Sequence, residues 1–310
     1  MTLLSKATAA IATAATGFAA AAAMTTASAQ PAPVTAPGTP KVALVARLAG
    51  SVLDASPDPA GKVIYFTTNG DRGPAIRRVP LGGGVQRAVL VGGPLRGPAG
   101  IAVSNDAERL FVADRKAGHI LVVPVAGGRP HVLRGSAGSA PRGLEMQTRG
   151  GRELVVYSGR SGGRPALLRL PSAGAARPTV LLEGAPLRAP DGVAISRSGA
   201  IYVTDHGPGG GRALRVDGDS VTTIARGLRL GNPAGIALTL DESSVLISSL
   251  NRATNTAQVL IVDTATAATS VFDDVIGTNH SAGGLHRARA AAPMGWADVQ
   301  RPGRVYRVDP

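Results

Sequence analysis

The chain repeats a short apolar signature. Pro98-Ala99-Gly100-Ile101-Ala102-Val103 returns as Pro190-Asp191-Gly192-Val193-Ala194-Ile195 and again as Pro233-Ala234-Gly235-Ile236-Ala237-Leu238, each followed by an aliphatic run such as Leu110-Phe111-Val112-Ala113-Asp114. Setting the glycines in register places Gly100, Gly143, Gly192, Gly235 and Gly284 at spacings of 43, 49, 43 and 49 residues. A period in the forties that holds several short strands is the mark of a propeller blade. One such unit cannot bury its apolar face alone and must stack on its neighbours.

Turn residues divide each repeat into four short runs. In the second blade these are residues 100–103, 109–113, 119–124 and 129–133, with a turn at 105–108. The fourth blade follows with 192–195, 200–204, 213–216 and 220–224, and the fifth with 235–238, 244–248, 257–262 and 269–272. Aliphatic runs of this length between polar turns predict an antiparallel meander. Blades one and three are longer variants, with second strands at 63–67 and 154–157. The last repeat offers only 285–288, 295–297 and 304–308, while an unassigned apolar run at 42–48 precedes the first repeat. Pairing the two termini completes the sixth sheet and removes a free edge. The expected fold is all-β, a six-bladed propeller whose N-terminal strand closes the last blade.

Residues 1–29 read as a cleavable signal peptide: Lys6, an alanine-rich apolar core at 7–23, and Ala27-Ser28-Ala29 ahead of Gln30. Residues 30–40, rich in Pro, Ala and Thr, form a short tether, and 41–310 form the propeller. A periplasmic or secreted protein with no membrane span after cleavage, monomeric, is expected. There is no cysteine, which excludes disulfides and thiolate metal sites. The net charge of +13 invites a nucleic-acid reading. The arginines are scattered, however, and are not interleaved with aromatics, so no nucleic-acid partner is expected.

The P-x-G-[IV]-A-[VIL] start and the [LI]-[FY]-V-[AT]-D end of the second strand resemble NHL-repeat proteins and the related superfamily of SMP-30/gluconolactonase enzymes and strictosidine-synthase-like proteins. The resemblance covers residues 41–310. Its lactonase branch implies a divalent cation on the axis, held by a Glu of the first inner strand, two Asn and the Asp of a P-D-G motif. These are hard oxygen donors of the kind Ca²⁺ takes. Here P-D-G is present at Asp191, but Pro141-Arg142-Gly143-Leu144 stands where that branch has Asn, and the first inner strand offers Asp54 rather than Glu. A guanidinium has only donors and repels a cation. The reading that follows is a binding propeller that takes a small molecule or a protein on its channel rim without turnover and without a cofactor. The rival is a lactonase-type hydrolase with a degenerate site for Ca²⁺ or another divalent cation, using Asp191, Asp205 and His206.

Arg142 and Asp191 both immediately precede an inner-strand glycine in adjacent blades, which sets them facing each other across the channel mouth, as a buried ion pair or as ligand-binding candidates. His206, following Asp205 in a glycine-rich loop, is a candidate ligand contact, and Asp205 with His206 are the candidate general-base residues. Asn279 and His280 precede the last inner strand and are further ligand candidates, with His286 the other titratable group near the axis. The regular ring of Asn69, Asp114, Ser158, Asp205, Ser249 and Asp298 at second-strand ends favours a structural role, and Trp296 is expected in the core between blades.

Overall fold

The computed structural model describes residues 41–279 and 282–310; the expected signal peptide and tether, residues 1–29 and 30–40, lie outside them. Among the described residues there is no helix, and β1 (Lys41–Leu48) opens the chain of strands. Blade one is β2 (Ser51–Pro57), β3 (Val63–Gly70), β4 (Gly73–Pro80) and β5 (Arg87–Val91). Blade two is β6 (Pro98–Val103), β7 (Arg109–Asp114), β8 (His119–Pro124) and β9 (His131–Val132). Blade three is β10 (Leu144–Arg149), β11 (Arg152–Ser161), β12 (Arg164–Pro171) and β13 (Thr179–Glu183). Blade four is β14 (Ala189–Ile195), β15 (Ile201–His206), β16 (Gly211–Asp217) and β17 (Ser220–Leu228). Blade five is β18 (Ile236–Leu238), β19 (Ser244–Leu250), β20 (Thr256–Asp263) and β21 (Thr269–Asn279). Blade six is β22 (Ala282–Arg287), β23 (Met294–Asp298) and β24 (Gly303–Asp309), completed by β1 in the order β1-β24-β23-β22.

The closure is the one the incomplete last repeat demands. Val42 lies opposite Val308 and Leu48 opposite Gly303, with one register shift between Leu44 and Ala46. β1 and the C-terminal strand are thereby tied into one sheet, and β24 is not left as the outer edge of an unfinished blade.

The second strand of each blade is buried on both faces because it lies between adjacent sheets; β7 is buried from Leu110 to Asp114. Outer strands are far more open to water: β5, β9 and β13 contain no buried residue. Phe111, Leu133, Leu144 and Tyr157 fill the space between blades two and three. Trp296, fully buried, packs with Leu246, Phe272 and Leu285 between blades five and six, its ring 5.6 Å from that of Tyr306. It therefore sits in the core, as expected.

Several strand boundaries differ from expectation; besides the outer strands of blades two, four and five, β11 runs past its expected 154–157. The outer strand of blade two shrinks from 129–133 to β9, because Pro130 has no N–H to give a ladder and Leu133 is drawn inward, its amide bonding Ile120 O at 2.8 Å. In blades four and five the outer strands run on to Leu228 and Asn279. The repeat glycines have ordinary negative φ. What they supply is close approach: a Cβ on Gly100 would collide with the Arg142 carbonyl, and one on Gly143 with the Asp191 carbonyl. Side chains there would force the inner strands apart.

Candidate functional site

The six inner strands line a channel with two mouths. The upper mouth is where the inner strands begin, and the lower mouth is where they end. In β2, β6, β14 and β22 the pairing with the second strand slips at the level of the repeat glycine, between Val52 and Asp54, Pro98 and Ile101, Pro190 and Val193, and Ala282 and Leu285. A bulge of this kind re-aims a side chain. Here it turns Asp54 and Asp191 into the protein, where each is about 1 % exposed.

At the upper mouth, Asp191 Oδ2 lies 3.3 Å from His206 Nε2 and accepts the amide of Ala234 from the next blade at 3.2 Å. His206 ends β15, paired with Ala189, and remains 31 % exposed, so one ring nitrogen is held by the carboxylate while the ring still reaches solvent. Arg142 stands half-buried nearby. Burial lowers its pKa, Asp191 opposes that shift, and the neighbouring Arg115 and Arg160 reinforce it. Among the described residues Arg142 makes no ion pair within 4 Å, so the carboxylate partner of Asp191 is His206 rather than Arg142. Beside them is a cavity of about 270 Å³ walled by Arg115, Arg142, Arg160, Arg188, Ala189 and Pro190.

Asp205 is fully buried and engaged. It accepts the amides of Arg188 and Ala189 at 3.0 and 2.7 Å and pairs with Arg212 at 2.7 Å. Asp114 does the same for Arg96 and Gly97, at 2.7 and 2.9 Å, and Ser158 takes Gly143 N at 3.1 Å. Asp114 and Asp205 thus staple the loop that leads into their own inner strand, and Ser158 holds its own inner strand and, through Asp191 O, the next one. Of the remaining candidates, Asn279 ends β21 opposite Thr256 with its side chain outside the described set, and His280 lies outside the described residues.

A second cluster crosses the channel interior. His286 on β22 is buried, with Nε2 3.0 Å from Asp54 Oδ2 and Nδ1 3.3 Å from Glu145 Oε2 on β10, in the opposite blade. Asp54 also accepts the amides of Ala55 and Ile101 at 2.9 and 2.8 Å, and Gly284 leaves room for its carboxylate. Burial alone would lower the imidazole pKa, but the two carboxylates overcome it and raise the value from 6.5 to about 10. For Glu145, burial pulls its pKa upward, but the bond and charge of His286, then Arg289 and the Met146 amide, hold it below the usual range. Glu145 was not singled out by sequence, though its register marks it: Glu145 and His286 sit two residues past Gly143 and Gly284, where the other repeats carry Ala102, Ala194 and Ala237.

A hard divalent cation does not suit this donor set. Asp191 Oδ2 is already shared between His206 and Ala234 N, a guanidinium stands at the neighbouring position, and both nitrogens of His286 face carboxylates. Among the described residues no three His, Asp or Glu side chains converge as a metal cage.

No protein-family model matches the chain, and no curated protein matches it. Solved structures do. The nidogen/laminin complex contains a chain that superposes with a TM-score of 0.63 at 20 % identity, over 77 % of this chain and 85 % of that one. A gluconolactonase from Xanthomonas campestris gives 0.62 at 16 % identity over 88 % and 90 %. The PQQ-bound aldose sugar dehydrogenase of Streptomyces coelicolor gives 0.60 at 14 % over 88 % and 99 %. At these identities the likeness is one of fold. The resemblance read from the repeats thus extends to the architecture, and nidogen- and gluconolactonase-type propellers are among this chain's structural neighbours.

Proposed function

We propose that the protein is an exported, periplasmic or secreted propeller that binds a small anionic molecule at its upper mouth, without turnover. One architecture serves a laminin-complex component, a lactonase and a sugar dehydrogenase among its neighbours, so the function has to be argued from the site. The observation that carries the reading is the arginine cavity. Arg115, Arg142, Arg160 and Arg188 wall one space, and among the described residues none of the four guanidinium groups has a carboxylate within 4 Å. Arg115, Arg160 and Arg188 are exposed and Arg142 is half-buried. Like charges gathered around one space repel one another, Arg142 also loses hydration, and an anion in the cavity relieves both costs. His206, oriented by Asp191, adds a ring donor or acceptor at the same mouth.

Isothermal titration with inorganic phosphate and with citrate tests this. One of them is expected to bind at one per chain, and Arg142→Gln is expected to weaken it at least about tenfold, the loss of one charge-assisted contact. Failure of both anions to bind, or binding untouched by the substitution, refutes the reading. The rival, a metal-assisted lactonase, is supported by the P-D-G aspartate alone; stoichiometric calcium with chelator-sensitive lactone hydrolysis would put it ahead.

A further inference from the structure

The lower mouth is a second chamber of different chemistry. It is a cavity of about 330 Å³ walled by Glu145, Gln147, Arg197, Glu242, Arg287 and Arg289. The upper cavity offers arginines without acids; this one sets three arginines against two glutamates.

Arg287 is its fixed element. Nε donates to Leu238 O at 2.8 Å, and Nη1 to the carbonyls of Ala288 and Arg289 at 2.6 and 3.0 Å. Carbonyls anchor a guanidinium without neutralising it. Among the described residues Arg287 has no carboxylate within 4 Å and Nη2 has no acceptor; burial lowers its pKa, with Glu145 and Glu242 acting against that from a distance. Arg289 is 29 % exposed, reaches Glu145 Oε1 at 3.6 Å and donates through Nη1 to Asn105 Oδ1, so Arg287 Nη2 is the donor left open and Arg289 supplies charge beside it. Across the space Glu242 is partly buried and its carboxylate accepts the amide of Arg197 at 2.7 Å, which fixes a negative charge on the opposite wall. Glu145 is already held by His286, so the acid left for a ligand is Glu242.

From this arrangement we infer that the lower mouth is a binding site for a small zwitterion, a carboxylate and an ammonium on one short carbon chain. The carboxylate meets Arg287 Nη2 and Arg289, and the ammonium meets Glu242. A polyanion is disfavoured by the two glutamates, and a simple cation by the three arginines. Charges held in place before binding cost little to arrange, so a ligand of only a few heavy atoms has something to gain there. The two cavities share no lining residue, so the inference stands independently of the anion site.

The test is calorimetric titration of the intact protein with glycine, β-alanine and γ-aminobutyrate, alongside acetate, methylammonium and citrate. Expected is binding of at least one zwitterion at one per chain, with acetate and methylammonium weaker by about tenfold or more. Glu242→Gln keeps an acceptor for the Arg197 amide while removing the charge, and Arg289→Gln changes a partly exposed side chain. Each is expected to weaken the zwitterion about tenfold with thermal unfolding close to that of the parent, whereas Arg142→Gln is expected to leave it unchanged. No zwitterion binding, tighter citrate than zwitterion binding in the Arg142→Gln protein, or affinity that survives both lower-mouth substitutions would overturn the inference.

Discussion

His286 ties three distant parts of the chain together through charge, and its contribution to stability can be worked out. Its ring joins β22 to Asp54 on β2 and to Glu145 on β10, so it holds blade six against blade one and spans the channel to blade three. The folded protein binds the proton far more tightly than the unfolded chain, with a pKa of about 10 against the ordinary 6.5. A folded pKa raised above the unfolded one gives stability that is fully present below about pH 6.5 and is lost as pH climbs towards 10. At about 1.4 kcal/mol per pH unit, that interval comes to about 5 kcal/mol as an upper bound. This is of the order of a single domain's whole stability. At the acid end, Glu145 acts in the opposite sense: its depressed pKa gives stability that is lost as pH falls below the ordinary carboxylate range. The assay is urea unfolding between pH 6 and 10 of the parent and of His286→Gln, which fills a similar space without the charge. The difference between the two is expected to be largest at pH 6 and to shrink by several kcal/mol by pH 10. Curves that stay parallel across that range would refute the charged bridge.

Two further perturbations test how the ring is held. Removing residues 41–48 strips β1 from β24 and exposes a full ladder edge; the product is expected to self-associate or aggregate, read by size-exclusion chromatography with light scattering. Asp205→Ala leaves Arg212 and the amides of Arg188 and Ala189 without their buried acceptor, and is expected to lower unfolding free energy by about 3–5 kcal/mol in chemical denaturation.

Much of the architecture was legible because blade packing imposes local rules. The close approach of inner strands demands a glycine at the same place in each turn, the loop that enters an inner strand demands an acceptor at a second-strand end, and sheet closure demands a strand from the other terminus. Rules of this kind repeat, and repetition is visible in one sequence. The boundaries that differ lie chiefly on the outer strands β9, β17 and β21, where one face meets water and little is forced, although β11 also runs past its expected end. The upper-mouth residues Arg142, Asp191 and His206 were also legible, as departures from the repeat. The identity of the partner was not: spacing alone pairs Asp191 with Arg142, whereas the slip between Pro190 and Val193 brings it to His206.

The chemistry of the channel resides in two register positions that the fold leaves unconstrained. One residue before the repeat glycine, the successive blades carry Ala99, Arg142, Asp191, Ala234 and Gly283; two residues after it they carry Ala102, Glu145, Ala194, Ala237 and His286. Small residues are the background at both levels, so each charged residue is a local exception, and two exceptions at one level must answer each other. At the inner level they do: Glu145 and His286 face across the channel, and Asp54 supplies the second negative charge that a doubly bonded imidazolium needs. At the upper level the answer is incomplete, because Asp191 turns to His206 and Arg142 is left among Arg115, Arg160 and Arg188. A buried network that closes on itself is a structural element, while one that ends in uncompensated positive charge at a solvent-facing mouth has a place for a ligand. On that distinction the Asp54–His286–Glu145 bridge belongs to the fold, and it is the arginine cavity that the proposed anion binding rests on.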